Sequence, residues 1–268
     1  MIRLNYTVTK HIEIFRNILV KYETFLDGTI CWKEGFLYPL NYDSYFQKLK
    51  AKYKFEKYLV SSEIETCKNI LRWVNETMLF RDYDEYLGEY RADCILQYAI
   101  SNRKILNCAM HSIVLTEVLS ALGFKCRSIQ CLPLDPLDND SHFINLVFIN
   151  NFHKWIALDP SFATFFLNSR NEYLNLRELR QYYLKDDFFK IVRHTRFPKS
   201  KGFDMNWYKA YLAKNLFRFS CIQGPLFTQM HNIIYYLEPN GYRECNQEEI
   251  VDNNIIRYIC DSNFFWEG

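Results

Sequence analysis

The chain has 268 residues, of which 49% are hydrophobic and 18% aromatic, and it carries 33 Lys and Arg against 31 Asp and Glu. This composition supplies ample apolar area for a core and excludes global disorder. The formal net charge of +2 lacks the large single-sign field that favours nucleic acid or an anionic membrane as a partner. A chain of this length is expected to form one domain with extensions.

Export and membrane insertion are not indicated by the sequence. The first fifteen residues lack an apolar run long enough for a signal-peptide core, and no stretch approaches 18 uninterrupted apolar residues, so we expect a cytoplasmic protein. Nine cysteines, an odd number without any Cys-x-x-Cys pair, favour reduced thiols over a disulfide framework. Cys126, Cys131, His142 and His153 are suitable zinc ligands by type but lack a recognisable spacing, so we predict no metal and no cofactor.

Three helices are predicted in the first third of the chain, over residues 10–22, 43–58 and 61–79. In the third of these, Ser62 is followed three residues later by Glu65, which is the arrangement of a capping box. Apolar residues then recur at helical spacing. We therefore assign residues 1–59 to a helical N-terminal extension that precedes the core.

A central buried helix is predicted between Asn107, a favoured N-cap residue, and Gly123, which is typical of the position after a helix end. The first residue of this helix is Cys108. There, free backbone N–H groups and the positive end of the helix dipole would stabilise a thiolate, and the same N–H groups could serve an oxyanion. Because a free cysteine is more often a small buried apolar residue, Cys108 needs a partner base to be interpreted as a nucleophile.

Strands are predicted after the Cys108 helix, over residues 125–132, 142–149 and 153–159, which are rich in β-branched and aromatic residues. His142 begins the second strand and Asp159 ends the third. A two-residue primed turn at Asn150 and Asn151 would place His142 directly opposite Asp159 and allow Nδ1 to donate to the carboxylate. A four-residue loop would set His142 opposite Ser161 instead.

The remaining histidines offer weaker bases. His111 lies one turn after Cys108, and a base on the same helix is expected to point along the surface rather than across a cleft. The segment 135–141, which enters directly on His142, contains three aspartates. A solvated turn is the simpler interpretation of this segment, and the alternative is that its charges stabilise the imidazolium and disfavour acidic substrates.

The last third of the chain is predicted to be mixed. Residues 172–185 are expected to be helical, 193–202 to form a solvated loop, and a hairpin is expected around Pro239 to Gly241, followed by one more strand. The overall pattern predicts the α+β class. We divide the chain into the extension 1–59, a core over 60–190, and a C-terminal mixed extension over 191–268 that packs on the core.

The pattern resembles the transglutaminase-like superfamily, including its bacterial transglutaminase-like members, which share a papain-like cysteine enzyme core. The resemblance covers about 60–185 and rests on Cys108 at a helix start, on "SALGFKCRSI", on His142 and on "WIALDPS", which contains Asp159. It implies a central Cys-bearing helix packed on an antiparallel sheet. Asn107 and Phe143 depart from the residues common beside the family's Cys and His, and neither departure removes a member of the triad.

The resemblance implies Cys108, His142 and Asp159 as the catalytic residues of a thiol enzyme that attacks an amide or ester carbonyl. Hydrolysis of a peptide or protein is the expected reaction, and amine transfer and a catalytically idle peptide-binding module are the alternatives. Asn102 and Gln97 are candidate oxyanion donors. Neither nucleic acid nor a membrane is expected as a partner, and the sequence does not specify an oligomeric state.

Overall fold

The structure is a computed structural model that describes residues 10–28, 34–38, 43–80, 86–102, 105–196, 203–224, 232–244, 246–259 and 261–268. The α-helices of these residues are α1 (Ile12–Lys21), α2 (Ser44–Tyr53), α3 (Glu63–Thr77), α4 (Ala92–Asn102), α5 (Cys108–Ala121), α6 (Leu176–Lys185), α7 (Met205–Asn215) and α8 (Ser262–Glu267). The strands are β1 (Leu79–Phe80), β2 (Ile105–Leu106), β3 (Cys126–Leu132), β4 (His142–Ile149), β5 (Lys154–Asp159), β6 (Thr164–Asn168), β7 (Phe189–Arg193), β8 (Arg218–Ile222), β9 (Ile233–Leu237), β10 (Gln247–Val251) and β11 (Asn254–Ile259).

A nine-stranded sheet organises the molecule in the order β10-β11-β9-β8-β3-β4-β5-β6-β7, and β1 and β2 form a separate parallel pair. The α+β class is therefore confirmed. Strands β3 to β7, on which the antiparallel sheet of the core was expected, pair antiparallel throughout. Farther along the chain, β9 and β11 pair in parallel and make the large sheet mixed.

The prediction of a hairpin around Pro239 to Gly241 is wrong. Strand β9 ends at Leu237, and the hairpin lies instead between β10 and β11, where Asp252 and Asn253 both have positive φ, 48° and 64°. Such a two-residue primed turn matches the twist of adjacent strands. As a result β10 forms the sheet edge, and β11 takes the place beside β9.

Local sequence signals account for several helix ends. Ser62 accepts a hydrogen bond from the Glu65 N–H at the start of α3, as its position predicts. The predicted helix 43–58 is divided at Lys54, which has a φ of 55° and ends α2 before a short 3₁₀ helix over Phe55–Tyr58. The start of α6 is set by a capping box between Asn175 and Glu178, later than the sequence pattern predicts.

Helices cover both faces of the sheet, and alternate strand residues point to each face. Val147, Ile156 and Leu158 pack with buried residues of α2, α3, α4 and α5. Ile144 and Ala157 pack on the opposite face with buried residues of α1, α6, α7 and α8. The described residues thus form three layers, with the sheet in the middle.

A buried polar cluster holds α5 against β3 and β4. Ser112 lies 2.6 Å from the hydroxyl of Ser128 and donates to the Asn145 side chain over 2.9 Å. Asn145 in turn donates to the hydroxyl of Thr116 over 2.7 Å. Because buried polar groups are costly without partners, these bonds fix the helix at one position on the sheet.

Strands on both sides of residue 190 belong to the same sheet, since β8 pairs directly with β3. The division into 1–59, 60–190 and 191–268 stays a prediction. Within the part of the chain that the structure describes, no helix is long and apolar enough to cross a membrane.

Candidate active site

The N-terminus of α5 carries the predicted nucleophile. The helix begins at Cys108, its N-cap Asn107 accepts a hydrogen bond from the Met110 N–H over 3.2 Å, and Gly123 follows its end with a φ of 92°. Within the described ranges, no acceptor contacts the N–H groups of Cys108 and Ala109. This helix end therefore presents a thiol beside two free N–H donors, an arrangement that suits a negatively charged oxygen or sulfur.

His142 and Asp159 meet in the interior of the protein. Nε2 of His142 lies 2.6 Å from Oδ2 of Asp159, and the two side chains are 1% and 0% exposed. The distance is that of a strong, charge-assisted hydrogen bond. The sequence analysis expected Nδ1 to make this bond, and the structure assigns it to Nε2.

The register that brings these two residues together differs from the predicted one. Asn145 pairs with Leu158 and Ile149 with Lys154, so four residues connect β4 and β5, and continuing this register sets His142 opposite Ser161. The predicted two-residue turn at Asn150 and Asn151 is therefore wrong. A shift of two residues keeps Asp159 on the face of His142, where a diagonal neighbour remains within reach of a histidine ring.

The four-residue loop is held by a long-range contact. Asn150–Phe152 form a 3₁₀ turn, and His153 closes it with a φ of 48°. The carboxylate of Glu63, in the first turn of α3, accepts bonds from the Asn150 side chain at 2.8 Å and the Asn151 N–H at 3.1 Å. The loop is consequently anchored to a helix distant in sequence.

Two further groups orient the Asp159 carboxylate. The hydroxyl of Tyr208 in α7 donates a short hydrogen bond to Oδ2, and the Ser161 N–H donates to Oδ1 over 2.9 Å. Burial and the neighbouring Asp159 raise the pKa of Tyr208 well above its ordinary value, so its hydroxyl remains a donor. The sequence analysis missed Tyr208, since its segment carried no motif and the α7 helix was not predicted.

Cys108 is the second partner of His142. Burial opposes protonation of the imidazole, but the charge and hydrogen bond of Asp159, followed by the hydrogen bond and charge of Cys108, raise the pKa of His142 to about 10. Because Asp159 occupies Nε2, the nitrogen left for the thiol is Nδ1. The Sγ atom of Cys108 also lies 4.0 Å from the carbonyl oxygen of Ser141. The raised pKa keeps the imidazole protonated near neutral pH, beside the Cys108 side chain.

Aromatic side chains enclose the imidazole. The rings of Phe162 and Tyr211 have centroids 5.8 and 5.3 Å from that of His142. Of the two oxyanion donors considered from the sequence, Gln97 lies exposed on α4, and the Asn102 side chain lies outside the described residues. The candidate oxyanion donors that the structure describes are the free N–H groups at the start of α5.

His111 does not point along the surface as expected. Its side chain is fully buried, with Nδ1 2.9 Å from the Asn107 carbonyl oxygen and Nε2 3.2 Å from that of Met78. Burial lowers the pKa of His111. Both ring nitrogens thus lie against backbone carbonyl oxygens, one of which accepts a hydrogen bond from the N–H of the neutral ring.

The acidic segment before His142 is held against α7. The Lys214 ammonium lies 2.8 Å from carboxylate oxygens of both Asp138 and Asp140, and the Tyr211 hydroxyl donates to Asp140 over 3.0 Å. Lys214 binds both carboxylates and offsets one of their two charges. The imidazolium is therefore stabilised chiefly by Asp159, and the segment is an anchored loop.

The zinc ligands considered from the sequence do not converge. Cys126 and Cys131 belong to one strand and pack in opposite core layers. Among the described residues, no group of three or more His, Cys, Asp or Glu side chains could hold a metal ion.

The chain shows little similarity to known proteins in sequence or in structure. No protein family model matches the chain, and no curated protein matches it. Among solved structures, the chain is similar to a "Putative Cysteine Protease from Cytophaga hutchinsonii", with a TM-score of 0.34 and 15% sequence identity. The match covers 46% of this chain and 39% of that one, so this chain spans less than half of that protein's length. A likeness of this degree does not bear on activity.

Proposed function

We propose that this protein is a Cys-His-Asp thiol enzyme that hydrolyses an amide or ester through a thioester intermediate. The observation that carries the proposal is the position of His142 between two partners. One ring nitrogen binds the Asp159 carboxylate at 2.6 Å, and Cys108, at the start of a buried helix, contributes to the raised pKa of His142. A nucleophile, a base and a group that orients the base are the parts required for covalent catalysis.

Each residue has a defined role in the proposed reaction. The Cys108 thiolate attacks the carbonyl carbon, while the N–H groups of Cys108 and Ala109 stabilise the oxyanion. His142 donates its proton to the leaving nitrogen or oxygen as the bond to the acyl carbon breaks. Water then attacks the thioester, and His142 accepts its proton as the C–S bond breaks. Asp159 keeps the imidazole oriented and stabilises its charged form.

The placement of Cys108, His142 and Asp159 also supports the proposal of a transglutaminase-like, papain-like core, in which the helix that carries the cysteine packs on the sheet. A peptide or protein substrate remains a prediction from the resemblance. Amine transfer differs from hydrolysis only in the group that attacks the thioester, and an idle binding module would retain the triad without turnover.

Turnover of a library of amides and esters by the purified protein tests the proposal directly. Cys108→Ala is expected to abolish turnover and the acyl adduct seen by intact-protein mass spectrometry. Cys94→Ser is the matched control, because Cys94 is a half-buried thiol on α4 whose pKa is raised by burial. An added primary amine separates transfer from hydrolysis. Equal turnover in wild type and Cys108→Ala, or an inert thiol at position 108, would contradict the enzyme proposal.

A further inference from the structure

A cavity of about 270 Å³ runs beside α5, on the flank of the sheet formed by β3, β8 and β9. Ala109, Ile113, Thr116 and Ser120 line it from the helix, and their spacing of three or four residues forms one continuous stripe. At a rise of ~1.5 Å per residue, this stripe is about 16 Å long. The cavity is therefore an elongated groove, and its opposite wall includes Ile222, Ile234 and Tyr236.

One end of the groove lies beside the start of α5. Ala109 directly follows Cys108 and carries one of the two free N–H groups. Gln130, also in the groove wall, donates to the Ser141 hydroxyl over 3.0 Å, and the Ser141 carbonyl oxygen lies 4.0 Å from Sγ of Cys108. Phe143, which follows the proposed base in sequence, lines the same end. An acyl group held by the free N–H groups would thus have the groove beside it.

Arg127 is the charged exception in the groove wall: its Nη2 donates to the Trp266 carbonyl oxygen over 2.9 Å and its guanidinium stacks on Phe36, while its Nε and Nη1 have no hydrogen-bond partner among the described residues. Several other polar side chains of the wall are bonded to the protein. These bonds join Ser128 to Ser112, Gln130 to Ser220, Thr116 to Asn145, Glu117 to Tyr45 and Ala92, and Gln223 to Gly35. Burial raises the pKa of the two thiols in the wall, Cys126 and Cys221, to about 12, so both remain protonated. Along the stretch lined by Ile113, Ile222 and Ile234, a peptide backbone would lose hydrogen bonds to water without regaining them, whereas an aliphatic chain would not.

We infer that the groove holds the apolar acyl chain of the substrate, an inference that rests on the proposed function and narrows it. The substrate is then an aliphatic acyl ester or amide. Cys108 Sγ bonds to its acyl carbon, the bond to the leaving oxygen or nitrogen breaks, and the leaving group takes a proton from His142. Water then releases the free carboxylic acid, returning its proton to His142 as the C–S bond breaks.

A series of para-nitrophenyl esters from acetyl to octanoyl tests the inference. Each added methylene is expected to raise kcat/KM about fourfold until the groove is filled, as burial of a methylene predicts. Ile113→Trp, which fills the groove, is expected to lower the ratio of octanoyl to acetyl kcat/KM at least tenfold. Ile14→Trp, on the exposed side of α1 with a 52% exposed side chain, is the matched control. If Ile113→Trp does not fold, Ile234→Trp on the opposite wall replaces it.

Direct binding separates failure of the groove from failure of the enzyme proposal. Decanamide is expected to bind Cys108→Ala in calorimetry and to lose affinity when Ile113→Trp is added. If no ester is turned over, the enzyme proposal fails, and the calorimetric affinity of decanamide with and without Ile113→Trp decides the groove assignment by itself. A flat or falling chain-length series, higher kcat/KM for peptide amides than for octanoyl esters, or no decanamide binding would overturn it.

Discussion

Replacing Asp159 by Asn is the sharpest perturbation of the proposed catalytic group, because it removes a charge while preserving the size of the side chain. Burial alone lowers the pKa of the His142 imidazole, and the charges and hydrogen bonds of Asp159 and Cys108 reverse this and raise it to about 10. Without the carboxylate, burial is opposed only by the smaller contributions of Cys108, and the pKa of His142 is expected to fall well below about 10.

The raised pKa of His142 also contributes to stability with a definite sign. The folded protein binds the proton more tightly than the unfolded chain, so the contribution is complete below ~6.5 and is lost as pH rises through about 10. At ~1.4 kcal/mol per pKa unit, the span from ~6.5 to about 10 corresponds to at most on the order of 5 kcal/mol. The excess unfolding free energy of wild type over Asp159→Asn is therefore expected to shrink by several kcal/mol over this range.

Urea denaturation of both proteins from about pH 6 to about pH 10 measures this excess, and the titration of the other groups cancels in the difference. An NMR titration of His142 reports its protonation directly. Asp138→Asn is the control, because it also removes one carboxylate charge, and that carboxylate binds Lys214 rather than His142. An excess that stays constant across the range, or a His142 still protonated at about pH 8 in Asp159→Asn, would refute the reasoning.

Three further predictions concern neighbouring groups. Iodoacetamide at about pH 6 should label Cys108 well before the four buried thiols of the described residues, because burial raises the pKa of those four. Peptide mapping measures the order of labelling, and uniform slow labelling would contradict the prediction. Tyr208→Phe removes a donor to the Asp159 carboxylate and should lower the free energy of unfolding by about 1.5 to 3 kcal/mol in urea denaturation; an unchanged midpoint would count against that bond. Asn107→Ala removes the cap bond to Met110 and should cost about 1 kcal/mol by the same assay, whereas Asn107→Ser should retain most of the stability.

The parts of the site that follow from neighbouring residues in the chain could be predicted from sequence. Asn107 and Gly123 bound α5 because a cap side chain and a positive φ act within one helical turn, so the position of Cys108 at the helix start is confirmed. The strands that begin at His142 and end at Asp159 are likewise confirmed, since alternation and β-branched residues act locally. Their catalytic roles stay a prediction.

Only the tertiary structure decided how these elements meet. The four-residue loop between β4 and β5 is bonded to Glu63, which lies 87 residues from Asn150 in the chain, and no local pattern encodes that contact. Tyr208 reaches Asp159 for the same reason, through the packing of α7 on the sheet. The predicted pairing of His142 with Asp159 survived a wrong register because strand side chains alternate with a period of two, so a shift of two residues changes the partner directly opposite and preserves the face.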